Sequence, residues 1–174
     1  MTFLPLVGNL RDLNLLSILL RFALSAVLSG LIGLERGRTH HAAGLRTHLL
    51  VGIGAASVMM TNQFLYLYYQ TGDPARLGAQ VISGIGFLGA GTILITGRSQ
   101  VTGLTTAAGL WASACMGLAV GMGFYEAAVL MCVLLYVVLE VLNRLDDQYV
   151  KSGAVFQVYL EYDNSIRFSV ILQE

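Results

Sequence analysis

The first long apolar stretch of the chain, Leu13–Leu34, reads LNLLSILLRFALSAVLSGLIGL. A helix needs about 20 residues to cross the hydrocarbon core of a bilayer. This stretch reaches that length with a single charged residue, Arg21, so it predicts a membrane-spanning helix. Four further apolar stretches follow: Leu45–Leu67, Ala79–Ile95, Leu104–Met122 and Tyr125–Leu142. Of these, Ala79–Ile95 is short for a membrane-spanning helix. The sequence therefore predicts an all-α membrane protein with five transmembrane helices.

The composition agrees with a bilayer as the solvent. Of the 174 residues, 56% are hydrophobic and only 11% are charged, and the mean hydropathy is +0.71. Soluble domains carry about 25% charged residues. The formal net charge is zero, which gives no indication of a nucleic-acid partner. Cys115 and Cys132 lie inside apolar stretches and are expected to be small buried side chains, not a disulfide or a zinc site.

The distribution of positive charge predicts the orientation in the membrane. Short loops rich in Lys and Arg stay on the cytoplasmic side. Two arginines fall on one side, Arg11 and Arg76, whereas seven basic residues fall on the other: Arg36, Arg38, Arg46, Arg98, Arg144, Lys151 and Arg167. We expect the N-terminus outside and the C-terminus in the cytoplasm.

The sequence divides into a membrane domain, residues 1–142, and a cytoplasmic tail, residues 143–174. In the tail, Ala154–Leu160 and Ile166–Leu172 alternate imperfectly around a turn signal at Asp163–Ser165. This pattern predicts a β-hairpin. A lone hairpin is only marginally stable in water, so it must pack on something or belong to a larger domain that is truncated here.

A polar face runs along the first predicted helix. Its members recur every three or four residues and therefore share one side of a helix: Asn14, Ser17, Arg21, Ser25, Ser29 and Gly33. Arg21 admits two interpretations, because an arginine in lipid is costly. It either lines a polar pathway or lies near the outer interface, with its charged end reaching water. The serines and the glycine are typical of close helix packing.

The third stretch is unusually rich in glycine. Gly84, Gly86, Gly89 and Gly91 fall within eight residues and include a literal GxGxxG. A dinucleotide site would require a preceding strand and an acidic residue about 20 positions later, and this sequence has neither. Two alternatives remain: the glycines allow close helix packing, which we favour, or they break the helix so that its backbone lines a site.

Two helix starts carry polar residues. Gly103–Trp111 opens the fourth helix, where Thr102 or Thr105 is a candidate cap, and where Thr105, Thr106 and the first amides could hold an anion or a water molecule. Asp73 and Arg76 open the third helix from the outside, with Asp73 as the expected N-cap and Arg76 as its ion-pair partner. Asp73 is also a weak candidate ligand for magnesium, which needs only one or two carboxylates.

Several motifs occur in a fixed order along the chain, and together they resemble the MgtC/SapB family of bacterial inner-membrane proteins. The resemblance covers about residues 13–142 and is carried by Gly33–Arg36, Ala43–His48, Asp73–Arg76, Gly84–Gly91, Gly103–Ala108 and Leu110–Trp111. It implies a membrane domain of about five helices in the bacterial inner membrane. It also implies a virulence-factor type of protein that supports growth in low magnesium and survival inside macrophages. The family was first labelled as magnesium transporters and is now regarded as regulators of other membrane machinery, including the ATP synthase.

Virulence-type relatives carry a longer cytoplasmic domain of an ACT-like α/β kind. This chain differs from them, because its sequence stops after one predicted hairpin.

The family motifs lie on both sides of the first cytoplasmic loop and suggest a candidate site formed by Glu35, Arg36, Arg46, Thr47 and His48. Glu35 and Arg46 could pair across the loop, and His48 can titrate near neutral pH. The simpler interpretation is that the arginines only set the topology.

The sequence supports three function classes unequally. The first is a non-enzymatic regulator that binds other inner-membrane proteins, with a homodimer as a further candidate assembly. The second is a transporter or channel for Mg²⁺ or another small ion. Against it, no acidic residue lies near the middle of any predicted span, where a cation pathway usually has one. An enzyme is not expected, because no catalytic set or metal-spaced cluster is present.

Overall fold

The computed structural model describes residues 10–39, 41–70, 72–95 and 101–152. Within these ranges the chain forms five long α-helices and one short antiparallel strand pair. In chain order the elements are α1 (Leu15–Arg38), α2 (Leu45–Tyr69), α3 (Arg76–Gly91), β1 (Leu94–Ile95), β2 (Val101–Thr102), α4 (Leu104–Gly121) and α5 (Tyr125–Ser152).

Three of the helices are long and apolar enough to cross a membrane by length and composition. They are α1 with 24 residues, α2 with 25 and α4 with 18. Helix α3 has 16 residues and is therefore about 24 Å long at 1.5 Å per residue, less than the ~30 Å of a hydrocarbon core. The predicted helical character and the shortness of the third helix are confirmed, whereas the crossing of a membrane by all five helices stays a prediction.

The ends of three predicted helices are wrong. Helix α1 continues to Arg38, so Glu35 and Arg36 lie in its last turns and not in the loop that we expected from Glu35 to Gly44. Helix α5 continues to Ser152, ten residues past the predicted end at Leu142. In both cases polar residues continue an apolar helix by further turns. The predicted ends were placed where the hydropathy falls, although the backbone hydrogen bonding of the helix continues beyond them. The third helix instead ends early, at Gly91.

The residues after α3 form a strand pair, where the sequence predicted the end of a helix followed by a turn. Leu94 pairs with Thr102, and Ile95 pairs with Val101. Gly103 follows with a positive φ of 91°, and a Cβ added there would overlap the carbonyl oxygen of Thr92. Glycine is thus required where the chain turns into α4, and α4 begins without the expected side-chain cap from Thr102 or Thr105.

Helices α1, α2 and α4 form the core of the membrane domain, and small residues bring their backbones together. A Cβ added to Gly117 would overlap the carbonyl oxygen of Gly52, and one added to Gly121 would lie 2.5 Å from the carbonyl oxygen of Ala56. Without a hydrophobic driving force between helices in lipid, such close backbone contact is a main source of association. An apolar cluster joins α1, α4 and α5, and includes Leu28, Ile32, Met116, Val120, Ala128, Cys132 and Leu139.

By its contacts the chain divides into two compact units, Met1–Leu139 and Glu140–Glu174. The first contains the helices described above. Of the second, the structure describes the end of α5, Glu140–Ser152. The predicted hairpin, Ala154–Leu172, lies outside the described residues, so the hairpin and the boundary at residue 142 stay predictions.

Both cysteines are free, as expected, with Cys132 buried and Cys115 half-buried.

Candidate functional site

The polar face of α1 is turned inward, towards α2 and α4. With polar residues of those helices it forms what we call the polar column, defined by Arg21, Ser25, Ser29, Arg36, His48, Thr106 and Ser113. Each of these side chains is at most 2% exposed. Burying so many polar groups is costly unless they are hydrogen-bonded, so the partners of each member indicate what the column can do.

Arg21 forms one end of the column, and each of its three nitrogen atoms donates to a protein group. Its Nη1 donates to Gln63 Oε1 at 2.7 Å and to the carbonyl oxygen of Gly121 at 2.8 Å. Its Nε donates to the hydroxyl of Tyr125 at 3.2 Å, and its Nη2 donates to the carbonyl oxygen of Arg11 at 2.7 Å. One guanidinium thus ties α1 to α2, to the end of α4, to α5 and to the segment before α1.

This geometry bears on both interpretations of Arg21. The side chain has no exposed surface, so its charged end does not reach water at the outer interface. The four acceptors are neutral protein groups that surround the cation, and they close this end of the column. Tyr125 reinforces the closure, because its hydroxyl donates to the carbonyl oxygen of Leu10 at 2.7 Å.

The other end of the column contains Arg36, His48 and Thr106. Arg36 Nη2 donates to Thr106 Oγ1 at 3.0 Å, which joins the end of α1 to the first turn of α4. Glu35 lies beside Arg36 and is 7% exposed. The structure therefore brings together four of the predicted site residues from three separate motifs, namely Glu35, Arg36, His48 and Thr106.

Glycines make the room that His48 occupies. A Cβ added to Gly33 of α1 would lie 2.9 Å from His48 Cβ, and one added to Gly109 of α4 would lie 3.5 Å from His48 Nε2. His48 Nδ1 is 3.0 Å from the carbonyl oxygen of Gly44. A carbonyl can only accept, so Nδ1 carries a proton, and Nε2 of the neutral ring is a bare acceptor.

The loop between α1 and α2 contributes a second histidine, His41. Burial and the nearby Arg36 guanidinium lower the pKa of His41 below its ordinary value, against smaller opposite effects of Glu35 and of a hydrogen bond to the backbone of Arg36. The His41 ring also contacts Thr39 Oγ1 through Nδ1 at 2.6 Å. His41 is therefore mainly neutral near pH 7.

Several buried polar atoms of the column have no hydrogen-bond partner among the described residues. They are Arg36 Nε, His48 Nε2 and the hydroxyls of Ser25, Ser29 and Ser113. Buried polar groups in proteins are nearly always paired with protein or with ordered water. The column between its two arginines is thus under-satisfied, whereas the Arg21 end is complete.

The remaining predicted site residues lie away from this cluster. Arg46 and Thr105 are exposed, and Thr47 is half-buried. Asp73 and Arg76 are exposed at the start of α3, with no ion pair recorded between them within the described ranges. Asp73 Oδ1 accepts from the amide of Ala75 at 2.8 Å, which caps the turn before α3. The N-cap position itself is Ala75, so the predicted Asp73 N-cap is two residues too early.

Of the four glycines expected to pack helices, one has a close neighbour. A Cβ added to Gly89 would lie 3.4 Å from Ala107 Cβ of α4, whereas one added to Gly84, Gly86 or Gly91 would meet no described atom within 4 Å. For these three glycines the packing role stays a prediction, and the helix that packs against them would have to come from another chain.

Sequence reasoning missed three members of the site. Ser113 and Gly109 have a usable signal, since Thr106, Gly109 and Ser113 are spaced three and four residues apart on one face of α4. Tyr125 has none, because its role is set by long-range contact with Arg21. No group of three or more His, Cys, Asp or Glu in the described ranges could hold a metal ion.

A sequence model of the MgtC family matches residues 22–148, which include the Arg36 end of the polar column and all of α2 to α4. The chain belongs to the MgtC family. The predicted resemblance is thereby confirmed. The family match begins one residue after Arg21, although Arg21 has more hydrogen bonds than the other members of the column. No solved structure matches the chain.

Curated relatives extend the MgtC family match over most of the chain. It is 37% identical over 153 residues to a protein named "Putative magnesium transporter YhiD" of Escherichia coli, covering 85% of this chain and 71% of YhiD. It is 42% identical over 137 residues to protein MgtC of Brucella abortus, covering 76% of this chain and 56% of that protein. It is 39% identical over 116 residues to protein SapB of Bacillus subtilis, covering 64% and 50%.

Proposed function

We propose that this MgtC-family chain is a non-enzymatic membrane regulator of magnesium homeostasis that acts by binding other membrane proteins through its helices. We place it in the bacterial inner membrane with its N-terminus outside. The observation that carries the proposal is the fully buried Arg21, held by four neutral acceptors. It speaks against ion transport through the centre of the bundle.

The electrostatics of the polar column oppose a magnesium path. Arg21 and Arg36 are both at most 1% exposed, and among the described residues next to the column Glu35 is the one that carries a compensating negative charge. A buried cation in a narrow pathway repels cations strongly, because the low-dielectric surroundings screen little. A divalent ion moving along the column would have to pass both arginines and break the hydrogen bonds of Arg21.

The outer surface of the bundle supports contact with partner helices. Between α2 and α3 lies an apolar groove of about 370 Å³, with Gly54 and Gly84 beside Leu50, Val58 and Leu88. Cβ atoms added to Gly54 or Gly84 would meet nothing within 4 Å. Small residues flanked by apolar ones are the usual docking features of membrane helices. The ATP synthase is a candidate partner by family resemblance.

A magnesium transporter is the second candidate, and the name of the YhiD relative favours it. In that case the ion would have to cross outside the polar column, for instance between copies of the chain. Asp73 is the carboxylate that would meet the ion at the outer side, since it is exposed there.

The two candidates are separated by flux. The purified protein is reconstituted in liposomes with a trapped magnesium indicator and compared with Asp73→Asn and with empty vesicles. The regulator predicts no magnesium entry above the empty-vesicle rate from correctly inserted protein. Entry that Asp73→Asn reduces would replace the regulator by a transporter.

The regulator also requires the groove between α2 and α3. In a bacterial host that lacks its own family member, growth in low magnesium is compared for the wild type, Gly54→Leu and Gly84→Leu. Both substitutions fill the groove without touching the polar column, so we expect normal protein levels and a loss of growth support. The matched control is Val137→Leu on the exposed face of α5, where Val137 is 50% exposed. Full growth of both groove variants would contradict docking at this groove.

A further inference from the structure

His48 Nε2 is a buried acceptor for which the described residues supply no donor. The ring is 0% exposed, and its Nδ1 proton is committed to the carbonyl oxygen of Gly44. Nε2 therefore has a free lone pair in the neutral ring, and no group in the described ranges forms a hydrogen bond to it. An orphan of this kind in a protein interior usually marks an ordered water or an ion.

A space of suitable size lies beside this atom. A Cβ added to Gly109 would have one neighbour within 4 Å, His48 Nε2 itself, at 3.5 Å. The backbone of α4 aside, no other described atom lies within 4 Å of that position, although Gly109 is buried. Elsewhere in the core the same test gives overlap, as at Gly117. Gly109 thus leaves room for about one methyl group beside Nε2.

The groups around the pocket can complete the hydrogen bonding of a small polar guest. Ser113 lies one helical turn from Gly109 on the same face of α4, and its buried hydroxyl is without a partner among the described residues. The charged groups near His48 come from α1, where Arg36 and Glu35 interact with it electrostatically. Arg36 repels a cation at His48, so a second cation would be stabilised only by Glu35 and by the guest.

The guest must donate a hydrogen bond to a neutral imidazole and fit the volume of one heavy atom. An internal water meets both conditions, since it donates to one group and accepts from another within about 2.8 Å of each. A metal cation fits poorly beside Arg36, and an anion would face the lone pair of Nε2.

We propose that the pocket at Gly109 holds one water molecule hydrogen-bonded to His48 Nε2, and that the pair is a buried proton-binding site of the membrane domain. On protonation, a proton from solvent adds to the Nε2 lone pair. The new N–H donates to the oxygen of the same water, and Nδ1–H stays on the carbonyl of Gly44. The net change is one positive charge in the layer next to Arg36. This inference is independent of the proposed regulatory function.

The site lies towards one end of the bundle. Gly109 is one helical turn from Thr106, which accepts from Arg36, at the end of the bundle that carries the α1–α2 loop. At the opposite end, the Arg21 guanidinium closes the polar column and excludes protons as a fixed cation does in a pore. Proton uptake at His48 therefore senses the side on which the loop lies, without proton conduction across the bundle.

The test uses Gly109 variants that replace the water by atoms of known chemistry. The full-length protein, labelled with ¹⁵N at histidine, is studied in nanodiscs by NMR as a function of pH. Gly109→Ala fills the pocket with a methyl group, which neither donates to the neutral ring nor accepts from the protonated one. Gly109→Ser supplies a hydroxyl that does both. Gly84→Ala is the matched control, because a Cβ there also meets open space.

We expect wild-type His48 to carry its proton on Nδ1 at neutral pH and to gain the second on Nε2 on acidification. Gly109→Ala should shift that titration to lower pH, Gly109→Ser should restore it towards the wild-type midpoint, and Gly84→Ala should not move it. Identical titrations for wild type, Gly109→Ala and Gly109→Ser would overturn the proposal. So would a His48 ring that holds its proton on Nε2 at neutral pH. Thermal melting of each variant shows whether it is folded.

Discussion

The carbonyl oxygen of Gly121 accepts a hydrogen bond from Arg21 Nη1 at 2.8 Å. Gly121 is also the last residue of α4 and approaches α2 so closely that an added Cβ would lie 2.9 Å from Ala56 Cα. Gly121 therefore contacts two helices. Its lack of a side chain lets α2 approach closely, and its carbonyl oxygen accepts a hydrogen bond from Arg21 of α1. The two kinds of contact reinforce each other, because the close packing places the carbonyl within reach of the arginine.

Replacing Arg21 should destabilise the bundle more than any loss of an exposed charge. Arg21→Ala removes four hydrogen bonds from a charged donor, and such bonds contribute about 1.5–3 kcal/mol each. We expect a loss of at least about 3 kcal/mol, seen as a large drop in melting temperature in detergent. Arg11→Ala is the control, since it removes only an exposed ion pair with Glu126, worth at most about 1 kcal/mol. Equal melting of the two variants would contradict the structural role of Arg21.

Adding a methyl group at the α2–α4 contact should be costly, whereas adding one on α3 should not. Gly117→Ala places a Cβ against the carbonyl oxygen of Gly52, a backbone atom that cannot move aside. Overpacking of this kind costs about 1–3 kcal/mol. Gly86→Ala meets no atom within 4 Å and should melt like the wild type. Thermal melting of both variants in the same detergent gives the comparison, and a stable Gly117→Ala would show that the two helices are not held at this distance.

The predicted orientation can be read from cysteine labelling. In a background without Cys115 and Cys132, single cysteines replace Asp73 and Arg38, which are both exposed. With intact cells and an impermeant maleimide, we expect labelling at position 73 and none at position 38 until the membrane is permeabilised. The reverse pattern would place the polar cluster of Arg36 and His48 on the outer side.

His41 should make stability depend on pH in mildly acid solution. Its pKa in the folded protein is lowered from 6.5, mainly by burial and by Arg36, so the unfolded chain binds more protons between the lowered value and 6.5. Stability then rises with pH through this window, is complete above it, and is lost as pH falls. His41→Gln should flatten this part of a melting-temperature profile. A profile that is unchanged by the substitution would assign the pH dependence to another group.

The helices and the buried face of α1 could be predicted from the sequence because both follow from local periodicity. The spacing of Ser17, Arg21, Ser25 and Ser29 places them on one face, and all four are buried. Asn14, assigned to the same face, is instead exposed and caps α1, because its side chain accepts from the amide of Ser17 at 2.8 Å. Periodicity alone does not tell a cap from the next residue of a stripe.

The partners of the polar column could not be predicted, because they come from distant parts of the chain. Thr106 was a candidate for its place at a helix start, yet its contact is with Arg36, 70 residues earlier. The glycines that form tight helix contacts could not be predicted for a related reason. Composition singled out Gly84, Gly86 and Gly91, whereas the tight contacts are at Gly52, Gly117 and Gly121, where the opposing backbone decides the need for glycine.

The hydrogen bonds of Arg21 also bear on how the chain enters the membrane. Its acceptors on Gln63, Gly121 and Tyr125 follow it by 42, 100 and 104 residues, so they are synthesised well after α1 has left the ribosome. During that interval α1 carries an uncompensated cation into the lipid or waits beside the insertion machinery. The hydrogen bonds of Arg21 can therefore be completed only after α4 and α5 have been synthesised.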